Sequence, residues 1–446
     1  MISINDLILV PLYLFIIFGI ARLIKSKNIK KHPEYRYFIK GIWFKLIGVS
    51  FFIIIYLFYY KGGDTITYFR GASALGELIL SDSEKGLAIL FNTDSYYNSY
   101  SSFNYQTGFP AHSYFSNKNT FIVCRISAIF YLLSSKSFVV TSLLTSVFSY
   151  IGIWKFYRLL NLLYPKRQKA FAYLILYMPS LLFWGGGIMK DSFMLGATCW
   201  ITSNIYYLFI APKKMFWNGF FLILNTIMVL NCKPYILISL IPGFLFWITN
   251  YYLKSVKNKL IRILVFPAII VAFVGLGALI FNSLSDSMGV YGSLEGAIKK
   301  AQITQDDLLN EWHYGGNNYK LDRIDGSISG LVNSAPIAIF TAIFRPLPWE
   351  IGSPTMVVSA IENTVLLLFT FYSLIIIGPF KFLKIIVNDP FLIYCFIFSL
   401  FFGFGVGIAG TNFGALVRYK IPLMPFFFCG VYLVRQKSKS YLSIIS

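Results

Sequence analysis

The sequence predicts an all-α polytopic membrane protein with about eleven transmembrane helices, and three observations carry that expectation. Hydrophobic residues fill 57% of the 446 positions and charged residues only 13%, where a soluble domain carries about 25% charged residues. Aromatic residues reach 19%, with 45 Phe and 31 Tyr, more apolar surface than a soluble core absorbs. The apolar runs are continuous rather than alternating. A bilayer holds no water to satisfy backbone groups, so helices and closed barrels are the available spanning forms, and continuous runs select helices.

A crossing helix needs about 20 mostly apolar residues. Runs of this kind lie near 5–22, 41–60, 137–155, 170–188, 191–211, 215–231, 234–252, 263–282, 355–378, 389–408 and 420–435. The first follows MISIND, which has no positive charge, and its Lys and Arg come afterwards. It therefore reads as an uncleaved span, not a signal peptide.

The net charge of +21 would suggest nucleic acid on a soluble chain. Here its placement orients the spans instead, because Lys and Arg mark cytoplasmic loops. Arg22, Lys25, Lys27, Lys30, Lys31, Arg36 and Lys40 follow the first span, and Lys155, Arg158, Lys166, Arg167 and Lys169 the third. Lys213 and Lys214 follow the fifth, and Lys254, Lys257, Lys259 and Arg262 the seventh. Lys381 and Lys384 follow the ninth, and Arg435, Lys437 and Lys439 the last. All of these fall inside when the N-terminus is outside and the C-terminus cytoplasmic.

Two further apolar stretches, 119–134 with Arg125 and 331–344 ending in FRPLPWE, break this charge pattern if either crosses alone. They are expected as interfacial helices of two large outer loops, about 61–136 and 283–354. Residues 1–40 add an N-terminal helix and a cytoplasmic basic loop. With no internal repeat, linker or soluble segment, 1–446 reads as one membrane domain.

The five cysteines (Cys124, Cys199, Cys232, Cys395, Cys429) form no CxxC, and His32, His112 and His313 are scattered. Neither set suggests a disulfide framework or a metal site.

The first outer loop opens GGDTITYFRGASALGELIL, where Ala72, Leu75, Leu78 and Ile79 share one helical face and Asp64 is placed for an N-cap. Its middle, NTDSYYNSYSSFNYQTGF, reads as a polar loop, ordered or mobile. In the second loop, YGSLEGAIKKAQITQDDLLNEWHY is helical in character in its first half and GGNN breaks it.

Polar residues gather where spans meet the outer surface. Asp64 follows the second span, Lys190 and Asp191 sit in a tight turn, and Lys233 in the turn NCKPY. Arg345, Trp349 and Glu350 precede the ninth span, Glu362 lies just inside it, and Asn412, Arg418 and Lys420 lie in GTNFGALVRYKIPLMP. Each has a structural role open to it: a helix cap for Asp64, a local ion pair for Lys190 and Asp191, snorkelling for Lys233 and Lys420, anchoring for Arg345. Glu362 is costly inside an apolar span without a partner or a wet cavity. Together they suit chemistry on a lipid-phosphate-linked substrate. Cations hold a phosphate, a carboxylate takes a proton from an acceptor hydroxyl, and Trp349, Tyr68 and Tyr114 offer faces for sugar rings.

This layout resembles the GT-C superfamily of membrane glycosyltransferases, in particular its family-39-like bacterial branch. Asp64 in GGDTITYF is similar to the acid that opens the first outer loop of that branch, Asp191 in MKDSF to a second acid in a tight outer turn, and VRYKIPLMP to a basic, Pro-containing entry into a late span. The resemblance covers residues 41–435. It implies a GT-C-like fold, a polyprenyl-phosphate-linked sugar donor, and an envelope glycan or lipid acceptor on the outer face of the cytoplasmic membrane. It implies Asp64 and Asp191 as catalytic residues, with Asp64 as general base. Lys190, Lys233, Arg345, Trp349, Glu350, Glu362, Asn412, Arg418 and Lys420 would bind substrate. No metal ligand is assigned, and a divalent cation stays open, because Asp64 lies between Gly63 and Thr65 instead of beside a second acid. The extra N-terminal helix is a departure from the family. Rival readings are a polysaccharide repeat-unit polymerase or ligase using undecaprenyl-linked sugars, a transporter or flippase, and a non-catalytic membrane scaffold.

Overall fold

The computed structural model describes residues 1–93, 96–253, 293–309, 317–319 and 328–442. The span expected at 263–282, the basic residues Lys254, Lys257, Lys259 and Arg262, and His313 lie outside the described residues. Nine helices among the described residues are long and apolar enough to cross a membrane: Asp6–Asn28, Pro33–Tyr59, Phe138–Leu163, Lys190–Ile210, Met215–Cys232, Pro234–Leu253, Pro354–Ile377, Pro390–Ala409 and Phe413–Lys439. The described residues hold no strand, only an isolated antiparallel bridge from Asn318 to Asn412. The described residues are all-helical in class, and the chain is a multi-pass membrane protein. It forms two compact units, Met1–Asn204 with Phe220–Lys233, and Ile205–Gly219 with Pro234–Ser446.

In the first unit, α1 (Asp6–Asn28) and α2 (Phe38–Ile54) are followed by α3 (Asp64–Ser81), α4 (Ser83–Phe91), α5 (Tyr96–Ser101), α6 (His112–Phe115) and α7 (Lys118–Leu133). Next come α8 (Phe138–Leu163), α9 (Gln168–Phe171), α10 (Pro179–Phe183), α11 (Lys190–Ile205) and α12 (Met215–Cys232), the last reaching into both units. Helices α3 and α7 lie side by side. A Cβ at Gly71 would stand 2.7 Å from Cys124 Sγ and one at Gly76 2.4 Å from the Tyr131 ring, so small residues let the two helices close. The crossing of α8 and α11 is closer still. A Cβ at Gly152 would lie 2.0 Å from the Gly196 carbonyl oxygen, so the backbones touch directly.

The apolar run at 170–188 is not one helix. It comprises α9, a π-helical turn Ala172–Leu176, and α10, with Gly185, Gly186 and Gly187 between α10 and α11. Met178 stands before Pro179 with ψ 116°, the extended conformation that proline imposes on its predecessor. Gly187 takes φ +68°. The carbonyls freed at the end of α10 are met by a fully buried lysine. Lys45 of α2 donates to Leu181 O at 3.0 Å and Gly185 O at 2.6 Å. A cation at a helix C-terminus also complements the helix dipole.

The second unit holds α13 (Pro234–Leu253), α14 (Leu294–Leu308), α15 (Ile328–Phe344), α16 (Pro354–Ile377), α17 (Pro379–Val387), α18 (Pro390–Ala409), α19 (Phe413–Tyr419) and α20 (Met424–Leu442). The Phe244 and Tyr394 rings stack at 4.5 Å and join α13 to α18. Helix α15 runs antiparallel along α18, because Ala338 meets Gly407 while Ala342 and Ile343 meet Gly403. Its C-terminal end is finished like that of α10. Lys420, 0% exposed, donates to Arg345 O at 2.8 Å, to Asn363 Oδ1 at 2.7 Å and to Ile343 O at 3.4 Å. Asn363 in turn donates to Pro346 O at 3.0 Å. Removing the ammonium leaves these buried acceptors without a donor. Lys420→Met is therefore expected to destabilise the protein by about 2 kcal/mol, read as a lower midpoint of denaturant unfolding in detergent micelles.

Candidate functional site

In the first unit the starts of α3, α7 and α11 and the end of α12 converge. Gly63 takes φ +100°, a conformation that favours glycine, and so turns the chain into α3 with Asp64 as its first residue. A carboxylate there is favoured by the helix dipole. Asp64 Oδ1 accepts a hydrogen bond from the Tyr114 hydroxyl at 2.7 Å. Tyr68, one turn along α3, is 4% exposed and packs edge-on against Tyr114 at 5.2 Å. Burial, reinforced by the nearby Asp64 charge, pushes the Tyr68 hydroxyl well above its ordinary value, so it stays a neutral phenol.

Lys190 opens α11 and is half-buried. Its ammonium donates to Thr120 Oγ1 at 2.9 Å, and among the described residues it has no carboxylate within 4 Å. It stands within electrostatic range of Asp64, Asp191 and Lys233. Asn119, beside Thr120 in the first turn of α7, donates to Asn231 O at 3.0 Å and ties α7 to the end of α12. Asp191 does not pair with its neighbour Lys190. It accepts from Lys233 at 2.6 Å, in an ion pair whose side chains are only 3% and 7% exposed. Asp64, Lys190, Asp191 and Lys233 thus form one cluster, in which Asp64 and Lys190 are half-buried and the Asp191–Lys233 pair is buried.

Among the described residues, the groups around Asp64 do not make up a divalent-cation site. They offer one carboxylate with an ammonium in range, and the second carboxylate is already neutralised. Among the described residues no three His, Cys, Asp or Glu gather as metal ligands.

The remaining residues singled out in the sequence lie in the second unit. Arg345 Nε donates to Glu350 Oε1 at 2.8 Å, and its guanidinium lies 5.1 Å from the Tyr319 ring and 5.0 Å from the Phe413 ring. Glu350 also accepts from the Leu347 amide at 2.8 Å, so Arg345 and Glu350 shape the turn between α15 and α16. Trp349 is 78% exposed. Glu362, on α16, is within electrostatic range of Lys420. Asn412 caps α19 by accepting from the Ala415 amide at 3.1 Å and donates to Asn318 at 3.0 Å. Arg418 ends α19 against its neighbour Tyr419. Three participants escaped the sequence reading: Thr120 as partner of Lys190, the Tyr114 hydroxyl as partner of Asp64, and Lys45. The motif KNT before an apolar run carries no signal for the first. For Lys45, a cation inside the apolar run 41–60 was the available signal.

No protein-family model, curated protein or solved structure significantly matches the chain. The fold and the cluster therefore define a class: a multi-pass helical membrane protein with a half-buried carboxylate and ammonium at converging helix ends.

Proposed function

We propose that the chain is a membrane glycosyltransferase of GT-C-like design. It moves a sugar from a polyprenyl-phosphate-linked donor to an envelope glycan or lipid acceptor on the outer face of the cytoplasmic membrane. The distribution of Lys and Arg supports that sidedness, with the N-terminus outside and the C-terminus cytoplasmic. The observation that carries the reading is a half-buried carboxylate, Asp64, within electrostatic range of a half-buried ammonium, Lys190, which among the described residues contacts no carboxylate. A base and an anion-holding cation at the edge of an apolar bundle are what transfer from a lipid phosphate requires.

In this mechanism Asp64 takes the proton of the acceptor hydroxyl as its oxygen bonds to the sugar's anomeric carbon. The bond from that carbon to the phosphate oxygen breaks, and polyprenyl phosphate leaves with the electron pair. Lys190, held by Thr120, meets the charge that grows on the phosphate. The Asp191–Lys233 pair is assigned to holding α11 against the end of α12, and Lys420 to finishing α15. The polymerase or ligase reading needs arginines directed at the lipid phosphate, whereas Arg345 is engaged by Glu350.

The test is made with the full chain in lipid nanodiscs. Polyprenyl-phosphate hexoses serve as donor probes and envelope glycolipid extract as acceptor. Acceptor-dependent release of free polyprenyl phosphate is expected. Its absence with every donor, or chain growth only from undecaprenyl-pyrophosphate oligosaccharides, overturns the proposal.

A further inference from the structure

We propose that Tyr114 is a positioning residue that orients the Asp64 carboxylate for proton transfer; the inference rests on the glycosyltransferase reading above. Tyr114 was singled out in the sequence as a face for a sugar ring, but its hydroxyl is directed at Asp64 Oδ1 at 2.7 Å. A hydrogen bond to an ionised acceptor is among the stronger kind, and here it fixes the plane of the carboxylate at the start of α3.

The residues around Tyr114 are built to hold it there. Its neighbour Phe115 is 7% exposed and packs edge-on against Phe121 of α7 at 4.6 Å, Tyr100 at 5.1 Å and Phe103 at 5.7 Å. Thr107 ties the intervening loop together, accepting from the Asn104 amide at 2.9 Å. Residues 99–115 are thus anchored by an aromatic cluster. Phe115 is the inward anchor, and Tyr114, next along the chain, carries the phenol to Asp64. Tyr68 supports the ring from the α3 side. The ordering of residues 99–115 therefore sets the direction in which the base faces.

The experiment compares wild type, Tyr114→Phe, Asp64→Asn and the double variant as full chains in nanodiscs, with a polyprenyl-phosphate hexose donor. Tyr114→Phe keeps the ring and its packing and removes one O–H. Its kcat is expected to fall about tenfold or more, with the donor KM unchanged. The double variant is expected to be no slower than Asp64→Asn alone, since a positioning residue has nothing left to position. A mere structural tie between loop and α3 would instead lower the melting midpoint and raise KM, and that outcome overturns the proposal. So does a wild-type kcat for Tyr114→Phe when Asp64→Asn is inactive, which leaves the glycosyltransferase reading standing. Retained transfer by Asp64→Asn, or no transfer by wild type with any donor, removes that reading and this inference with it.

Discussion

Asp64→Asn is expected to lower sugar transfer by about 10²–10⁴-fold, the usual contribution of a general base, while the protein accumulates and melts like wild type. Asparagine matches aspartate in shape. Its amide oxygen can accept the hydrogen bond that Tyr114 now gives to Oδ1, so the start of α3 and the loop above it keep their geometry. What is lost is the ability to take a proton. The same change removes a negative charge from the vicinity of Lys190. Binding of an anionic donor should then be unchanged or tighter, and the loss should appear in kcat rather than KM. Asp64→Glu keeps the carboxylate but moves it by one methylene, and it should recover only part of the rate because proton transfer demands hydrogen-bond reach. Full transfer by Asp64→Asn would sink the assignment of the base. If, in addition, alanine at Arg345 and Arg418 abolished activity, the polymerase reading would replace it.

The bilayer makes some features of this chain easy to read and hides others. Spans such as Phe138–Leu163 and Pro390–Ala409 are legible because a crossing helix needs about 20 mostly apolar residues in one run, a demand that composition alone reveals. The break in the run at 170–188 is less so. Hydropathy continues through it, and only the Met178-Pro179 step and the three glycines signal a turn. What makes the break tolerable, the ammonium of Lys45 on Leu181 O and Gly185 O, lies 136 and 140 positions away in the chain and leaves no local trace. The candidate site divides in the same way. Asp64 is announced by GGD, since a glycine with positive φ before an acid at a helix start is a local device. Its partner Tyr114 comes from 50 positions further on, placed by the packing of Phe115. Composition showed NTDSYYNSYSSFNYQTGF as a polar loop and missed that its Tyr100 and Phe103 form a cluster with Phe115, because edge-on ring contacts follow no fixed spacing. Asp191 illustrates a further limit. Its sequence neighbour Lys190 was the obvious partner, yet adjacent residues on a helix point in different directions, and the partner is Lys233.

The second large effect is expected at that ion pair. Lys233→Met leaves the Asp191 carboxylate buried with the Lys233 cation gone, and Asp191→Leu takes the counter-charge away from the buried Lys233 ammonium. Each is expected to cost about 3–5 kcal/mol, the usual penalty for breaking a buried pair, measured as a shift of the denaturant-unfolding midpoint in micelles. The combined Asp191→Leu/Lys233→Met variant should recover most of that stability. Desolvating two charges is expensive, and a hydrophobic pair of similar volume avoids the cost. Recovery matters for function as well as for folding. The proposed GT-C-like design would make Asp191 a second catalytic acid, whereas its side chain, 3% exposed and bonded to Lys233 at 2.6 Å, suits a brace that holds the start of α11, and with it Lys190, against the end of α12. If Asp191 is a brace, the apolar pair keeps Lys190 in place and transfer continues at a rate close to wild type. If Asp191 handles a proton during the reaction, the apolar pair folds and is inactive. A stable but dead double variant would therefore return Asp191 to the catalytic set, and a stable, active one would leave Asp64 as the acid–base residue of the site.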